Sequence, residues 1–247
     1  MRPGLWLAAG VTALAASVAI AAILVLDPFS GGSEKTQVVE SLRGINVSSA
    51  LYTTEQGAGE SFADAVETAE VTDWAANYSG LREFQQERVK AEGLADEIEW
   101  LRLSGFQPGT NGAETLVTDD LIFFRLGAER GFLRVLAGST ETTDRAHLHS
   151  QVEGWLKTLV ENVEAALPDA AAEDGHEDSA LQETLRNMVL QRGDVPTELV
   201  QNNESFITNQ ELASSSSDPE ARLAVLEKWG RLLGYEVAYV YETENGG

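Results

Sequence analysis

His147 and His149 form an H-x-H pair. A helix presents metal ligands on one face at i and i+4, so this spacing chelates only if the segment is a strand, where both rings share a face. No third ligand is evident nearby. The run Asp169, Glu173, Asp174, Glu177 and Asp178 surrounds Gly175 and offers the oxygen ligands that calcium prefers. It lacks the alternating acid spacing of an EF-hand loop. His147, His149, Asp174 and Asp178 are therefore the metal candidates, and ligand count favours surface histidines and a solvated acidic linker over a bound ion. His176 is the third histidine of the chain.

Gly57-Ala58-Gly59 lies between a strand pattern and a helix pattern, where a phosphate cradle would sit. The third glycine of the dinucleotide fingerprint is replaced by Phe62, and a plain turn is the simpler reading. Arg192-Gly193-Asp194 spells an adhesion tripeptide, a match short enough to arise by chance. Glu97 with Glu99, and Asp119 with Asp120, are the possible carboxylate pairs for acid–base work, which needs a cleft and pKa values driven apart. No G-x-S-x-G elbow occurs, and the absence of cysteine excludes disulfides, thiolate metal sites and a cysteine nucleophile. Trp74, Trp100, Trp155 and Trp229 fall in or beside amphipathic elements and read as core, with a sugar platform as the alternative. Asn46, Asn77 and Asn203 head glycosylation sequons that matter only in a eukaryotic source, whereas thirteen arginines against four lysines hint at a GC-rich bacterial genome. No catalytic or cofactor-binding residue is assigned.

The elements that carry these residues follow from periodicity. Residues 37–44 suit a short helical turn, and Ile45–Thr54 alternates as a strand broken by Gly57 and Gly59. Ser61–Ala76 has helical spacing; residues 81–92 fit neither period. Glu97–Ser104 reads as a strand, and Thr115–Leu126 and Phe132–Ala137 as a hairpin about a five-residue turn, Gly127–Gly131. Asp144 caps a helix from Arg145 to about Leu167, followed by an acidic linker over 168–178 and a helix from Ser179 to about Gln191. Residues 192–217 read as irregular. Asp218 as N-cap, Pro219 at N1 and Gly234 past the end bound a final helix, which feeds the strand Tyr235–Tyr241. Strands in runs rather than strict alternation with helices predict an α+β fold, with a largely antiparallel sheet covered by helices. The expected organisation is an anchor over 1–26, a tether over 27–36, an α+β domain over 37–167, the linker, and a segment over 179–247 that completes the same sheet.

Leu5–Leu26 contains no charged residue and spans roughly 33 Å as a helix, about one bilayer core. It is longer than a cleaved signal segment, and Asp27-Pro28 ends it. Trp6 suits the interface, and Arg2 before the span with Asp27 and Glu34 after it places the N-terminus inside. A single-pass signal anchor in the cell membrane, with the remainder outside, is the expectation. The net charge of -23 argues against nucleic acid as a partner.

The stretch ALYTTEQGAGESFADAV, the strands around GLADEIEWLRLSG and DDLIFFRLGAERGFLRV, and the long helix after them resemble uncharacterised bacterial envelope proteins. The layout over 42–167 is similar to the PsbP-like fold of exported lipoproteins and photosystem extrinsic subunits. The C-terminal ITNQELA and DPEARLAVLEKWGRLLGYEVAYVY resemble a segment expected before a strand such as INVSSALYTT, not after it. The reversed order implies either a permuted domain, with Tyr235–Tyr241 beside Ile45–Thr54, or a piece of a repeat array. The resemblance implies no catalytic residues. The expected role is non-enzymatic binding of an envelope partner or small ligand; an accessory subunit of a membrane complex and a hydrolytic enzyme are the alternatives.

Overall fold

A computed structural model describes residues 42–91, 93–108, 114–139, 144–172 and 178–241. The expected anchor and tether, and Asp174 and His176, lie outside the described residues. Among the described residues no helix is long and apolar enough to cross a membrane.

The described residues form one seven-stranded sheet, antiparallel at every pairing, in the order β2-β3-β4-β5-β1-β7-β6. The α+β expectation with an antiparallel sheet holds. The strands are β1 (Leu42–Tyr52), β2 (Arg82–Val89), β3 (Glu97–Pro108), β4 (Glu114–Leu126), β5 (Glu129–Ser139), β6 (Leu199–Ile207) and β7 (Arg231–Tyr241). The helices are α1 (Glu55–Val71), α2 (Trp74–Asn77), α3 (Asp144–Ala172), α4 (Asp178–Asn187), α5 (Asn209–Ser214) and α6 (Pro219–Lys228).

Each face of the sheet is hydrophobic and must be covered. On the first face, Ile45, Val47, Ile122, Phe124, Leu133, Val135 and Val237 meet the α3 stripe Val152, Leu156, Leu159 and Val163, with Leu185 and Met188 from the α4 end. Leu156 and Leu159 are fully buried, worth roughly 1.5–3 kcal/mol each. On the second face, α1 and Trp74 cover Leu101, Leu103, Leu121 and Phe123. Ala50 and Tyr52 lie beneath Ala58, Ala213, Leu226 and Trp229, where α1, α5 and α6 meet. All four singled-out tryptophans are buried, as the core reading expects.

Several boundaries depart from the sequence reading. Residues 42–44 belong to β1, because that strand is paired on both sides by β5 and β7. The first helix starts at Glu55 rather than Ser61: Thr54 caps it by accepting from Gly57 N–H. Gly57 is tolerated there because a Cβ would stand 1.8 Å from the Trp229 carbonyl oxygen. That helix ends at Val71, and α2 follows as a separate turn. Residues 82–89 form an edge strand, whose solvent exposure erases the inward–outward alternation. The β4–β5 turn is Gly127-Ala128, with Gly127 at φ 55°, so Glu129 and Arg130 are strand residues. The helix α3 runs through Pro168 to Ala172, and α4 stops at Asn187. Residues 192–217 contain β6 and α5. A bulge between Gln201 and Asn203 breaks the period of β6, and a Thr208/Glu211 capping box starts α5. Gly230, not Gly234, terminates α6, at φ 69°.

A Cβ at Gly131 would lie 2.0 Å from the Phe124 ring, whereas one at Gly154 meets nothing within 4 Å. Gly131→Ala is expected to destabilise by about 1–3 kcal/mol through overpacking. Gly154→Ala, within exposed helix, is expected to stabilise by roughly 0.5–1 kcal/mol. Urea titration of the two variants checks both signs.

Candidate functional site

Asp119 and Asp120 do not form a carboxylate pair. Successive side chains of a strand point to opposite faces, so the two acids separate across the sheet. Asp119 faces α1 and α2, where Arg134 grips it through Nε at 2.9 Å and Nη2 at 2.6 Å. The Tyr78 hydroxyl also donates to it. Burial pushes the Tyr78 phenol up, and the adjacent Asp119 charge adds to that. Burial works against the Arg134 charge, but Asp119 and Tyr78 outweigh it and hold the guanidinium above its ordinary range.

Asp120 faces α3. It accepts from Arg102 Nε at 2.7 Å and from the Trp100 indole N–H at 2.6 Å. Burial raises its pKa against the opposing pull of Arg102 and Trp100. His149 stacks on Trp100 with ring centroids 5.0 Å apart, and its Nδ1 lies 3.4 Å from Arg102 Nη2. His147 is exposed and sits elsewhere on the helix surface. The H-x-H pair is therefore helical and split, and among the described residues no group of three metal-ligating side chains assembles. Asp178 begins α4; Asp169 falls in the last turns of α3.

The remaining sequence candidates are absorbed by structure. Glu97 and Glu99 share a face, but each meets its own arginine, Arg125 at 2.7 Å and Arg88 at 3.0 Å. The glycine pair lies inside the first turns of α1, with Thr54 and Trp229 occupying that end. In the adhesion-like tripeptide, Arg192 donates to the Pro196 and Thr197 carbonyls, and Asp194 accepts from Gln191 N–H at 2.7 Å. Both charged ends thus staple their own loop.

Two features were not singled out from the sequence. The first is Glu129, which is 0% exposed and faces the α3–α4 side. It accepts from the Ser49 hydroxyl at 2.7 Å; that hydroxyl lies 3.7 Å from Met188 Sδ, and the second carboxyl oxygen has no partner. Burial pushes the Glu129 carboxyl up to about 8, despite the Ser49 bond and the Arg130 charge. The reading of Gly127–Gly131 as one loop hid this residue.

The second is a group of arginines on the opposite face. Arg130 stands directly across from Ala50 of β1, and Ala50 is opposite Gly234 of β7. The Arg231 guanidinium lies over Gly234, where a Cβ would be 2.2 Å from Nη2. Arg231 is 6% exposed and donates through Nη1 to the Ile207 carbonyl at 3.0 Å and to Asn209 Oδ1 at 2.8 Å. Burial, with the charges of Arg130 and Arg222 added, pushes Arg231 down to about 10 even though Tyr52 opposes the shift. Arg222 reaches down from α6, stacks over Trp229 at 5.2 Å and donates to Asp64 at 3.1 Å. The Tyr52 hydroxyl shares a 2.6 Å bond with Ser61. The Nε atoms of Arg130 and Arg222 and the Ser216 hydroxyl are buried without a partner. The nearest sequence signal was Gly234, whose missing side chain makes room for Arg231.

Asp120→Asn leaves the buried Arg102 charge with only Glu87, 4.0 Å away and half exposed, and a loss of about 3–5 kcal/mol is expected in urea unfolding. For Glu129 the folded pKa is raised, so its contribution is complete below the unfolded value and is lost as pH rises through about 8. Glu129→Gln should therefore gain on the parent by a few kcal/mol between about pH 5 and pH 9. Parallel urea titrations at the two pH values measure this; an unfolding free energy that changes equally with pH in parent and variant would refute the buried-acid assignment.

No family model, no curated protein and no solved structure matches this chain.

Proposed function

We propose that the chain is a membrane-tethered, extracytoplasmic binding module without catalytic chemistry of its own, and that its ligand is a small anion. The arginine group beneath the α5–α6 corner carries this reading. Among the described residues, Arg82, Arg88, Arg102, Arg125, Arg134 and Arg186 each hold a carboxylate. Arg130 and Arg231 do not, although the chain has 40 acids and 17 bases. A cation left unpaired beneath a helical cover costs free energy unless something else neutralises it. An anion arriving from solution does so.

A hydrolytic site needs an acid and a histidine around one cleft. Here the two buried aspartates face opposite ways, each against its own arginine; His149 lies beside Arg102 and Trp100, the partners that already occupy Asp120, and His147 stands in solvent. This arrangement favours binding over hydrolysis. The uncharged run Leu5–Leu26 supports the tether and the outward placement of the remainder.

The test is thermal melting of the purified full chain in detergent at fixed ionic strength. Inorganic phosphate, sulfate, citrate, neutral sugars, Ca²⁺, Zn²⁺ and EDTA are the additives. A ligand at a hundred times its dissociation constant adds about 2.7 kcal/mol of stability. A saturable rise with anions, and none with sugars, is the expected result. A flat response from a cooperatively melting protein sinks the small-ligand reading and turns the search to a protein partner, by crosslinking in the native membrane.

A further inference from the structure

We propose that Arg130 and Arg222, held in place around Arg231, form a site for a tetrahedral oxyanion: a phosphate or sulfate group, free or as a monoester. The inference rests on the binding reading above and narrows it to one ligand chemistry.

The donors decide the class. The Nε–H of Arg130 and the Nε–H of Arg222 are buried and unused. A guanidinium binds oxyanions best through parallel N–H groups, so an arginine whose Nε is free keeps a complete edge for a pair of oxygens. The two edges come from different elements, one on β5 and one on α6, and both charges act on Arg231. A single carboxylate is flat and satisfies one edge. A tetrahedral group presents oxygens out of one plane and can serve both. The Ser216 hydroxyl, buried and unpartnered in the turn that leads into α6, is a further donor on the same corner.

Arg231 has another part. Its Nη1 is committed to Ile207 and Asn209, and Asn209 returns a bond to the Arg231 carbonyl at 2.8 Å. It therefore pins the start of α5 to β7 and adds positive potential without offering its own edge; it is a positioning residue. The Tyr52 hydroxyl is shared between Ser61 and Arg231. The acid bonded within the group is Asp64, which takes one Nη1 of Arg222. Asp64 competes with an incoming anion for that cation. The Arg222 side chain is 16% exposed and Asp64 37%, so the approach from solvent runs along these two residues. The Arg222 guanidinium carbon lies 5.2 Å from the centre of the Trp229 ring, within reach of a cation–π attraction.

Isothermal titration of the full chain with inorganic phosphate and with glycerol phosphate, at constant ionic strength, tests the site. One-to-one binding is expected. Arg130→Gln and Arg222→Gln should each weaken it about tenfold, the equivalent of about 1.4 kcal/mol. Asp64→Asn should strengthen it about threefold by releasing Arg222 and removing a like charge. Should Arg130→Gln fail to melt cooperatively, Arg130→Lys keeps the charge and loses the edge, and weaker binding is again expected. Tighter binding of the ester identifies an esterified ligand; tighter binding of the free ion identifies the ion. Phosphate binding that none of these variants changes overturns the site but leaves anion binding standing. Binding of citrate with none of phosphate overturns the tetrahedral class alone. No saturable binding of any anion overturns the inference together with the reading beneath it.

Discussion

Two consecutive acids in the middle of a sheet impose the strictest requirement on this fold. Asp119 and Asp120 lie in β4, one facing each way, and neither reaches water. Each needs a cation inside the protein, on its own face. Arg134 on β5 answers one and Arg102 on β3 the other, so the two strands flanking β4 are tied to it by charge as well as by backbone bonds. Trp100, Tyr78 and His149 then gather around these pairs. A strand slip of one residue would turn both carboxylates toward the wrong arginine. The pairs thus specify the register of the β3-β4-β5 core more sharply than its apolar residues do.

The other half of the sheet is organised differently. β1 lies between β5 and β7, so the two ends of the described chain meet in the sheet. Tyr239 of β7 donates to the Leu190 carbonyl at 2.9 Å and ties the segment after α4 to this half. The α5–α6 corner is held by Arg231, by the Thr53–Gly230 bond and by the close approach of Trp229 to Gly57. On this side Arg222 pairs with Asp64 and Lys228 with Glu60, whereas Arg231 bonds the Ile207 carbonyl and Asn209 instead of a carboxylate. The centre and the corner thus differ in how their buried arginines are neutralised. Glu129, whose face is the opposite one, is the further exception: a buried acid that meets a hydroxyl rather than a paired cation, and whose burial favours the protonated form.

Both sheet edges carry irregularities. β2 has a shifted register between Arg82 and Gln85, with Glu83 at φ 53°, and β6 is bulged between Gln201 and Asn203. Together with the charged residues of β2, these features discourage further strands from adding to the sheet.

Elements with a buried stripe were legible in the sequence. The long helix α3, the strand beginning at Glu97, the helix opened by Asp218-Pro219 and the antiparallel α+β class all follow from local periodicity and capping chemistry, which depend on neighbours along the chain. What local pattern failed to reveal were the edge strands β2 and β6, where exposure or a bulge removes the alternation, and the short turn before Glu129, where charged residues imitate a loop. The candidate site was the least legible part. Arg130, Arg222 and Arg231 are ordinary charged residues in sequence, and their type alone suggests a solvated surface. Only the pairing of β1 with both β5 and β7 brings Arg130, opposite Ala50, near Arg231, opposite Tyr52, and only the packing of α6 over that place adds Arg222. Composition determines how much charge the chain carries; the tertiary structure decides which charges are buried together, because burial and separation in space set what each charge costs.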